Sequence, residues 1–240
     1  MFKGSGGAGY NLLPLLFISY QMKFLIKFPS RNRPKQFKAA LEKYILFSDK
    51  DKTHFLFTLD SNDLTLGQYV DIIQSADINH TLVVGDSTGK VDAVNRDLNE
   101  FLMGYSADVI LLASDDMMPL PMYQEKIEER ARELGLDYVY WFQDGNQSRL
   151  NTLSIMGIEY YRRFNYLYHP SYKSLWCDNE FHDVALSLER MNETPFPMII
   201  EHQHPAHNRQ YKTDELYKEN DRWWNHDKEN YEKRKANNFK

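Results

Sequence analysis

The run 109-VILLASDDMMPLP-121 is apolar up to two adjacent carboxylates, Asp115 and Asp116, and then turns through a Pro-rich stretch. Residues 108–114 carry no polar alternation, which predicts a central parallel strand covered on both faces. Upstream, 23-KFLIKF-28, 54-HFLFTLD-60 and 80-HTLVVG-85 read as three further strands. Between them, 29-PSRNRP-34 feeds a helix with Pro34 in its first turn, and Phe37, Leu41, Tyr44 and Ile45 recur at helical spacing. Helical stretches follow near 65–76 and, marked by Val91, Val94, Leu98, Phe101 and Leu102, over 90–102 as a single helix. After the opening run, 121–135 starts with Pro and stops at Gly135, and 137-DYVYWFQD-144 resumes a strand.

That alternation predicts an α/β fold: a mostly parallel, Rossmann-like sheet with helices on both faces. In such sheets the loops at the C-terminal ends of the strands form the binding crevice. Four loops converge there: 29-PSRNR-33, 60-DSND-63, 85-GDSTGK-90 and 114-SDDM-117.

Beyond residue 145 the rhythm is irregular to about 176, helical over 178–191 and strand-like over 197–202. The boundaries read as an N-terminal flexible extension over 1–21, one domain over 22–207 and a charged helical tail over 208–240. Within the domain a nucleotide-binding half ends near 145 and an acceptor half covers 146–207. In the tail Tyr217, Trp224 and Tyr231 lie seven residues apart, a stripe along one side of a helix suited to docking on the body, a partner or a second copy.

With 240 residues, 42% hydrophobic and 14% aromatic, the chain can bury a large core without staples. A net charge of -5 excludes global attraction to nucleic acid or anionic membrane, so an anionic ligand must be held by local cations or a metal. The single cysteine, Cys177, excludes an internal disulfide framework and predicts a reducing, cytoplasmic setting. The apolar run 11-NLLPLLFISY-20 is broken by Pro14 and short of the roughly 20 residues a membrane span needs. It reads as neither a transmembrane segment nor a signal peptide.

Carboxylates at the mouth of a crevice suit a hard divalent cation, since Mg²⁺ or Mn²⁺ takes one or two of them and completes its shell with phosphate oxygens and water. Asp115 and Asp116 therefore suggest a metal held between protein and diphosphate, although Asp also commonly begins a turn. Arg31 and Arg33 can neutralise phosphate, Ser30 and Asn32 can hydrogen-bond a base or ribose, and Asp60 can take ribose hydroxyls or a base N–H. Lys90 and Asn95 sit at a helix start facing the same crevice. In 201-EHQHPAH-207, His202 and His204 share a face if the strand continues, and either can complete a metal site begun by Asp116. Asp178 reads as a helix N-cap or as a general base toward an acceptor.

In this order, 28-FPSRNRPKQF-37, 59-LDSND-63, 89-GKVDAVNRDL-98, 112-LASDDMMP-119, 176-WCDNEF-181 and 202-HQHP-205 resemble the nucleotide-diphospho-sugar transferases of the A-type glycosyltransferase fold, especially family 2. The resemblance covers roughly residues 23–207. It implies a metal-dependent, inverting transfer of a sugar from a nucleotide-sugar donor to a glycan or other hydroxyl acceptor. By it Ser30, Arg31, Arg33, Asp60, Asn62, Lys90, Asn95 and Asp115 would line the nucleotide and its diphosphate. Asp116 and His204 would hold Mn²⁺ or Mg²⁺, and Asp178 would be the base. The first acid of the family's usual metal element is missing, with Ala113 and Ser114 in its place, so Asp116 is favoured for the metal and Asp115 for donor sugar or ribose. The aromatic stretch 153–172 would shape the acceptor site. A nucleotidyltransferase is the first alternative, weakened because 29-PSRNRP-34 lacks the glycines such enzymes carry after their first strand. A non-catalytic nucleotide- or glycan-binding domain of an assembly is the second.

Overall fold

The computed structural model describes residues 20–146, 148–205, 211 and 213–240. The sequence-read extension over 1–21 thus falls, but for its last two residues, outside the described residues. A five-stranded sheet runs in the order β3-β2-β1-β4-β6, with β1 (Phe24–Ser30), β2 (Thr53–Asp60), β3 (His80–Gly85), β4 (Val109–Leu112) and β6 (Ile155–Gly157). The pairs β1–β2, β2–β3 and β1–β4 are parallel, and only β6 runs against its neighbour β4. A small second sheet pairs β5 (Met117–Pro119) with β7 (Ile200–His202).

The period of two along each strand divides the core into two layers. Phe24, Ile26 and Phe28 of β1, Phe55, Phe57 and Leu59 of β2, and Val109 and Leu111 of β4 face one layer. It is closed by Phe37, Leu41 and Tyr44 of α1 (Pro34–Phe47), Tyr69 and Ile73 of α2 (Leu66–Ser75), and Tyr123 and Ile127 of α5 (Tyr123–Leu134). Leu25, Leu56, Ile110 and Leu112 face the other, against α3 (Lys90–Asn95), α4 (Leu98–Gly104), α6 (Ile158–Arg162), α7 (Cys177–Ser187) and Tyr231 of α9 (Trp224–Ala236). The α/β class, the mostly parallel order and the double coverage of 109–112 are as the sequence implies. The last position of β6 must be glycine, because a Cβ on Gly157 would lie 2.1 Å from the Leu136 carbonyl oxygen.

Three expectations need correction. The single helix over 90–102 is two, α3 and α4, broken at Arg96 and Asp97, where Asp97 is left-handed (φ 73). Its cause lies on β1: Lys27 faces the second layer, fully buried, and a buried ammonium must find acceptors. It donates to Thr58 Oγ1 and, at 2.7 Å, to the Arg96 carbonyl, which a continuous helix would withhold. Desolvation outweighs the nearby Asp97 and pulls the Lys27 pKa down to about 7.

Secondly, 137–144 is no regular strand. Its backbone divides its hydrogen bonds between β6, through Tyr140 N–H to Ile155 C=O (2.9 Å), and the 190–196 segment, through Gln143 N–H to Phe196 C=O (3.0 Å). Of the aromatics in 153–172, Tyr160, Tyr161, Tyr168 and Tyr172 are buried in the second layer, while Phe164 and Tyr166 are half-buried and line a cavity with His169. Thirdly, the tail is two helices rather than one, with Tyr217 on α8 (Glu215–Asp221) and Trp224 and Tyr231 on α9. Both lie on the body, α9 by Asp227, whose buried carboxylate accepts the backbone N–H groups of Lys173, Ser174 and Leu175 at 3.0, 2.8 and 2.8 Å. Among the described residues no helix is long and apolar enough to cross a membrane.

Candidate functional site

Strand order locates the crevice. From β1 the chain steps outward through β2 and β3, then returns to lay β4 on the other side of β1. Loops leaving β1 and β4 therefore diverge at the point of reversal, where open α/β sheets bind ligands. The pairing of β4 with β1 stops at Lys27–Leu112, so among the described residues Pro29 and Ser30 have only β2 as a strand neighbour. Pro29's missing N–H thus costs no bond in the sheet. Into this opening project Ser30 and Arg33 from one loop and Asp115 and Asp116 from the other.

Asp115 is buried and bonded across the opening: Ser30 Oγ donates to Oδ2 at 2.7 Å and Arg33 Nη1 to Oδ1 at 3.0 Å. Burial and the neighbouring Asp116 charge outweigh these donors and push its pKa up to about 6. Asp116 moves the opposite way. Burial alone would raise it, but His202, whose Nε2 lies 3.5 Å from Oδ2, holds its carboxyl well below the usual range. Tyr217 of α8 donates its hydroxyl to the same Oδ2 at 2.8 Å. The other oxygen, Oδ1, is buried with no hydrogen-bond partner.

His202 stands between two carboxylates, with Nδ1 3.5 Å from Oδ2 of the buried Asp144. Desolvation is outweighed by this pair of acids, and its pKa rises to about 9. Asp144 is itself fixed by Thr152 Oγ1 at 2.7 Å and by the Asn146 N–H at 2.8 Å. His204 stacks edge-on between His202 and Tyr217, its ring centroid 5.3 Å from the first and 4.8 Å from the second. Asp116, His202 and His204 thus lie together, although among the described residues no three His, Cys, Asp or Glu side chains form a ready-made metal cage. A carboxylate with one orphaned oxygen, and an imidazole 3.5 Å from the other, fits a cation that draws its remaining ligands from phosphate and water.

On the β2 side of the crevice, Arg31 Nη1 bonds Asp60 Oδ2 at 2.7 Å, and Arg96 Nη1 reaches the other oxygen at 3.4 Å. Arg96 is held in turn by Ser87 and the Leu59 carbonyl. Asn62 lies exposed on the same turn, while its neighbour Asp63 accepts the Asn32 N–H at 2.7 Å and shapes the Arg31–Arg33 loop. Lys90 is exposed at the start of α3. The Asn95 side chain is spent on backbone, bonding the Tyr168 carbonyl at 2.7 Å and the Leu167 and Tyr168 N–H groups at 2.9 and 3.2 Å. Asp178 lies in the first turn of α7, whose N-cap position is Trp176 in a left-handed conformation (φ 60). Burial raises the Asp178 pKa, and Lys90 and His202, both within electrostatic reach, partly offset it.

Arg96, Asp144, Tyr217 and Asp214, which accepts from Arg33 at 2.6 Å, belong to this constellation, and the sequence does not single them out for it. Asp144 carried the signal used for Asp115, an acid closing an apolar run. Asp214 and Tyr217 carried none, because they reach the crevice only through the fold of the tail.

No family model and no curated protein matches the chain. Among solved structures it is similar to the mannosyltransferase PcManGT of Pyrobaculum calidifontis, in complex with GDP-Man and Mn²⁺, at TM-score 0.58 and 11% identity over 74% of this chain and 56% of that one. It is similar also to S. aureus TarS 1–349 in complex with UDP-GlcNAc, at TM-score 0.60 and 13% identity over 81% of this chain and 60% of that one. The chain spans about six-tenths of the length of these structures. At this level of identity the likeness is one of fold: the chain has the A-type glycosyltransferase architecture.

Proposed function

We propose that this chain is a metal-assisted glycosyltransferase that moves a sugar from a nucleotide-diphosphate donor to a hydroxyl acceptor. One observation carries the reading: at the reversal point of the sheet Arg33 and Ser30 meet Asp115, and the adjacent Asp116 keeps one buried oxygen without a hydrogen-bond partner while His202 lies 3.5 Å from its other oxygen. The fold's solved relatives, bound to GDP-Man with Mn²⁺ or to UDP-GlcNAc, support the same ligand class. In this reading Asp116 and an imidazole of the His202–His204 pair hold Mn²⁺ or Mg²⁺. When bound, that ion neutralises charge developing on the leaving diphosphate.

The residues of the chain divide the remaining work. Arg33, with Arg31, receives the diphosphate, while Ser30, Asp60 and Arg96 face ribose and base. Asp115 faces the donor sugar or ribose. Asp178 takes the proton of the acceptor hydroxyl as the acceptor oxygen bonds to the anomeric carbon. The bond from that carbon to the diphosphate oxygen breaks, and the nucleoside diphosphate leaves with the electron pair. Attack from the face opposite the leaving group inverts the anomeric centre. A base whose pKa is raised by burial holds the proton better, in keeping with the role. The donor half covers about 22–145, the acceptor half about 146–207, and the tail from 208 completes the crevice through Asp214 and Tyr217. The lone, buried Cys177 suits a cytoplasmic setting.

The test is thermal unfolding with UDP-, GDP- and CDP-sugars, each with and without Mn²⁺. One nucleotide class should raise the midpoint only with the metal, because a ligand that binds the native state stabilises it by mass action. Asp116→Asn should abolish that metal-dependent shift and leave the unliganded midpoint within a few degrees. A panel with no shift, or a variant that keeps it, refutes the assignment.

A further inference from the structure

The buried cation best placed for the donor's diphosphate is already occupied by an anion of the chain itself. Arg33 is 6% exposed, and its Nε and Nη2 each carry one oxygen of Asp214 at 2.6 Å, the two-point bond by which arginine also grips phosphate. Its Nη1 donates to Asp115, and the Tyr217 ring lies over the guanidinium, 4.0 Å from centroid to Cζ. The Tyr217 hydroxyl meanwhile takes Oδ2 of Asp116. The start of α8 thus engages both the arginine and the acid that the proposed donor and cation require.

From this geometry we propose that α8 is an internal competitor of the donor, with Asp214 seated where a phosphate of a nucleoside diphosphate goes. The proposal rests on the donor reading above. A diphosphate cannot make a two-point contact with Arg33 while Asp214 fills that edge. Nor does added negative charge fit beside Asp115, Asp116 and Asp214 around one guanidinium unless one of these anions leaves. Asp214 is the one able to go. It is the most exposed member of the cluster, with 36% of its side chain accessible, and α8 buries no residue of its own. Its successor α9 stays fastened by Asp227 and by the paired bonds of Arg234 to Glu180 at 2.7 and 2.8 Å. Departure of α8 therefore breaks the contacts of Asp214 and Tyr217 and leaves the second core layer intact.

The experiment measures UDP and GDP binding to the full chain by calorimetry in excess Mn²⁺, with wild type against Asp214→Asn. Asparagine still caps α8 by accepting the Tyr217 N–H but carries no charge. If the competitor is seated about nine-tenths of the time, the variant binds the accepted nucleotide roughly tenfold tighter. Hydrogen exchange gives a second reading: on nucleotide addition the amides of Glu215–Asp221 should lose protection while those of α9 keep theirs. A wild type that binds while Asp214→Asn binds equally or more weakly overturns the competitor alone, as does an α8 that gains protection. Failure of both chains to bind either nucleotide removes the donor reading and this proposal with it.

Discussion

Replacing Asp115 with asparagine should stabilise the protein while damaging its site. The carboxylate is 4% exposed and faces the Asp116 charge, and together these move its pKa from 3.8 to about 6 despite Arg33 and Ser30. That displacement corresponds to about 3 kcal/mol against the charged form in the folded state. An acid whose folded pKa is raised lends stability that is fully present below its unfolded value and is lost as pH rises through the folded one. In the wild type this contribution is present below about 3.8 and gone above about 6. Asparagine mimics the neutral acid at every pH. Asp115→Asn should therefore be more stable at pH 7.5 by up to about 3 kcal/mol, and at pH 5 by roughly half of that. For a chain of this length each kcal/mol is about 2–4 °C in Tm. Urea unfolding of both chains at the two pH values, with unchanged m-values, measures the difference. A variant less stable than wild type at pH 7.5 would show that the Arg33–Asp115 bond outweighs burial. A gain of the same size at both pH values would show that Asp115 is not the titrating group. Loss of nucleotide binding in the stabilised variant would mark Asp115 as an acid kept for function at the expense of stability.

Asp227→Ala removes the acceptor of three backbone N–H groups in a fully buried place, and should cost roughly 3–5 kcal/mol, read as a fall in the urea midpoint. A loss below about 1 kcal/mol would mean that water replaces the carboxylate there. Asp178→Asn should lower the turnover of sugar transfer by about 10²- to 10⁴-fold while nucleotide affinity stays unchanged. Equal losses in both would make Asp178 a donor-site residue instead.

What the sequence made legible follows from periodicity. The near-continuous apolar runs at 24–28, 55–59 and 109–112 predict doubly covered strands, and the side chains that alternate between the faces of those strands build the two core layers. Asp115 and Asp116 were visible for the same reason: a strand end is marked by where its apolar run stops. The helix break at Asp97 was not visible, since its cause is a buried lysine 70 residues earlier whose burial depends on the sheet already being there. The irregular course of 137–144 was hidden likewise, because a segment bonded on one side to β6 and on the other to 190–196 has the composition of a strand without its ladder. Asn95 looked like a crevice residue by its position at a helix start, yet its amide is consumed by the 167–168 backbone, a partner no local pattern reveals.

The reversal of strand order at β1 also sets a timetable. The Arg31–Asp60 contact on the β2 side closes a loop of 29 residues, whereas Ser30–Asp115, Arg33–Asp115, Tyr217–Asp116 and Arg33–Asp214 close loops of 85, 82, 101 and 181. Long closures lose more chain entropy before any contact repays it, and they form late. The two sides of one crevice therefore mature at different moments of folding. On the proposed function, a refolding chain should hold its β1–β2 half before the acids at the end of β4 arrive, and the return of any metal-dependent nucleotide binding would then time the last, long-range step rather than the sheet itself.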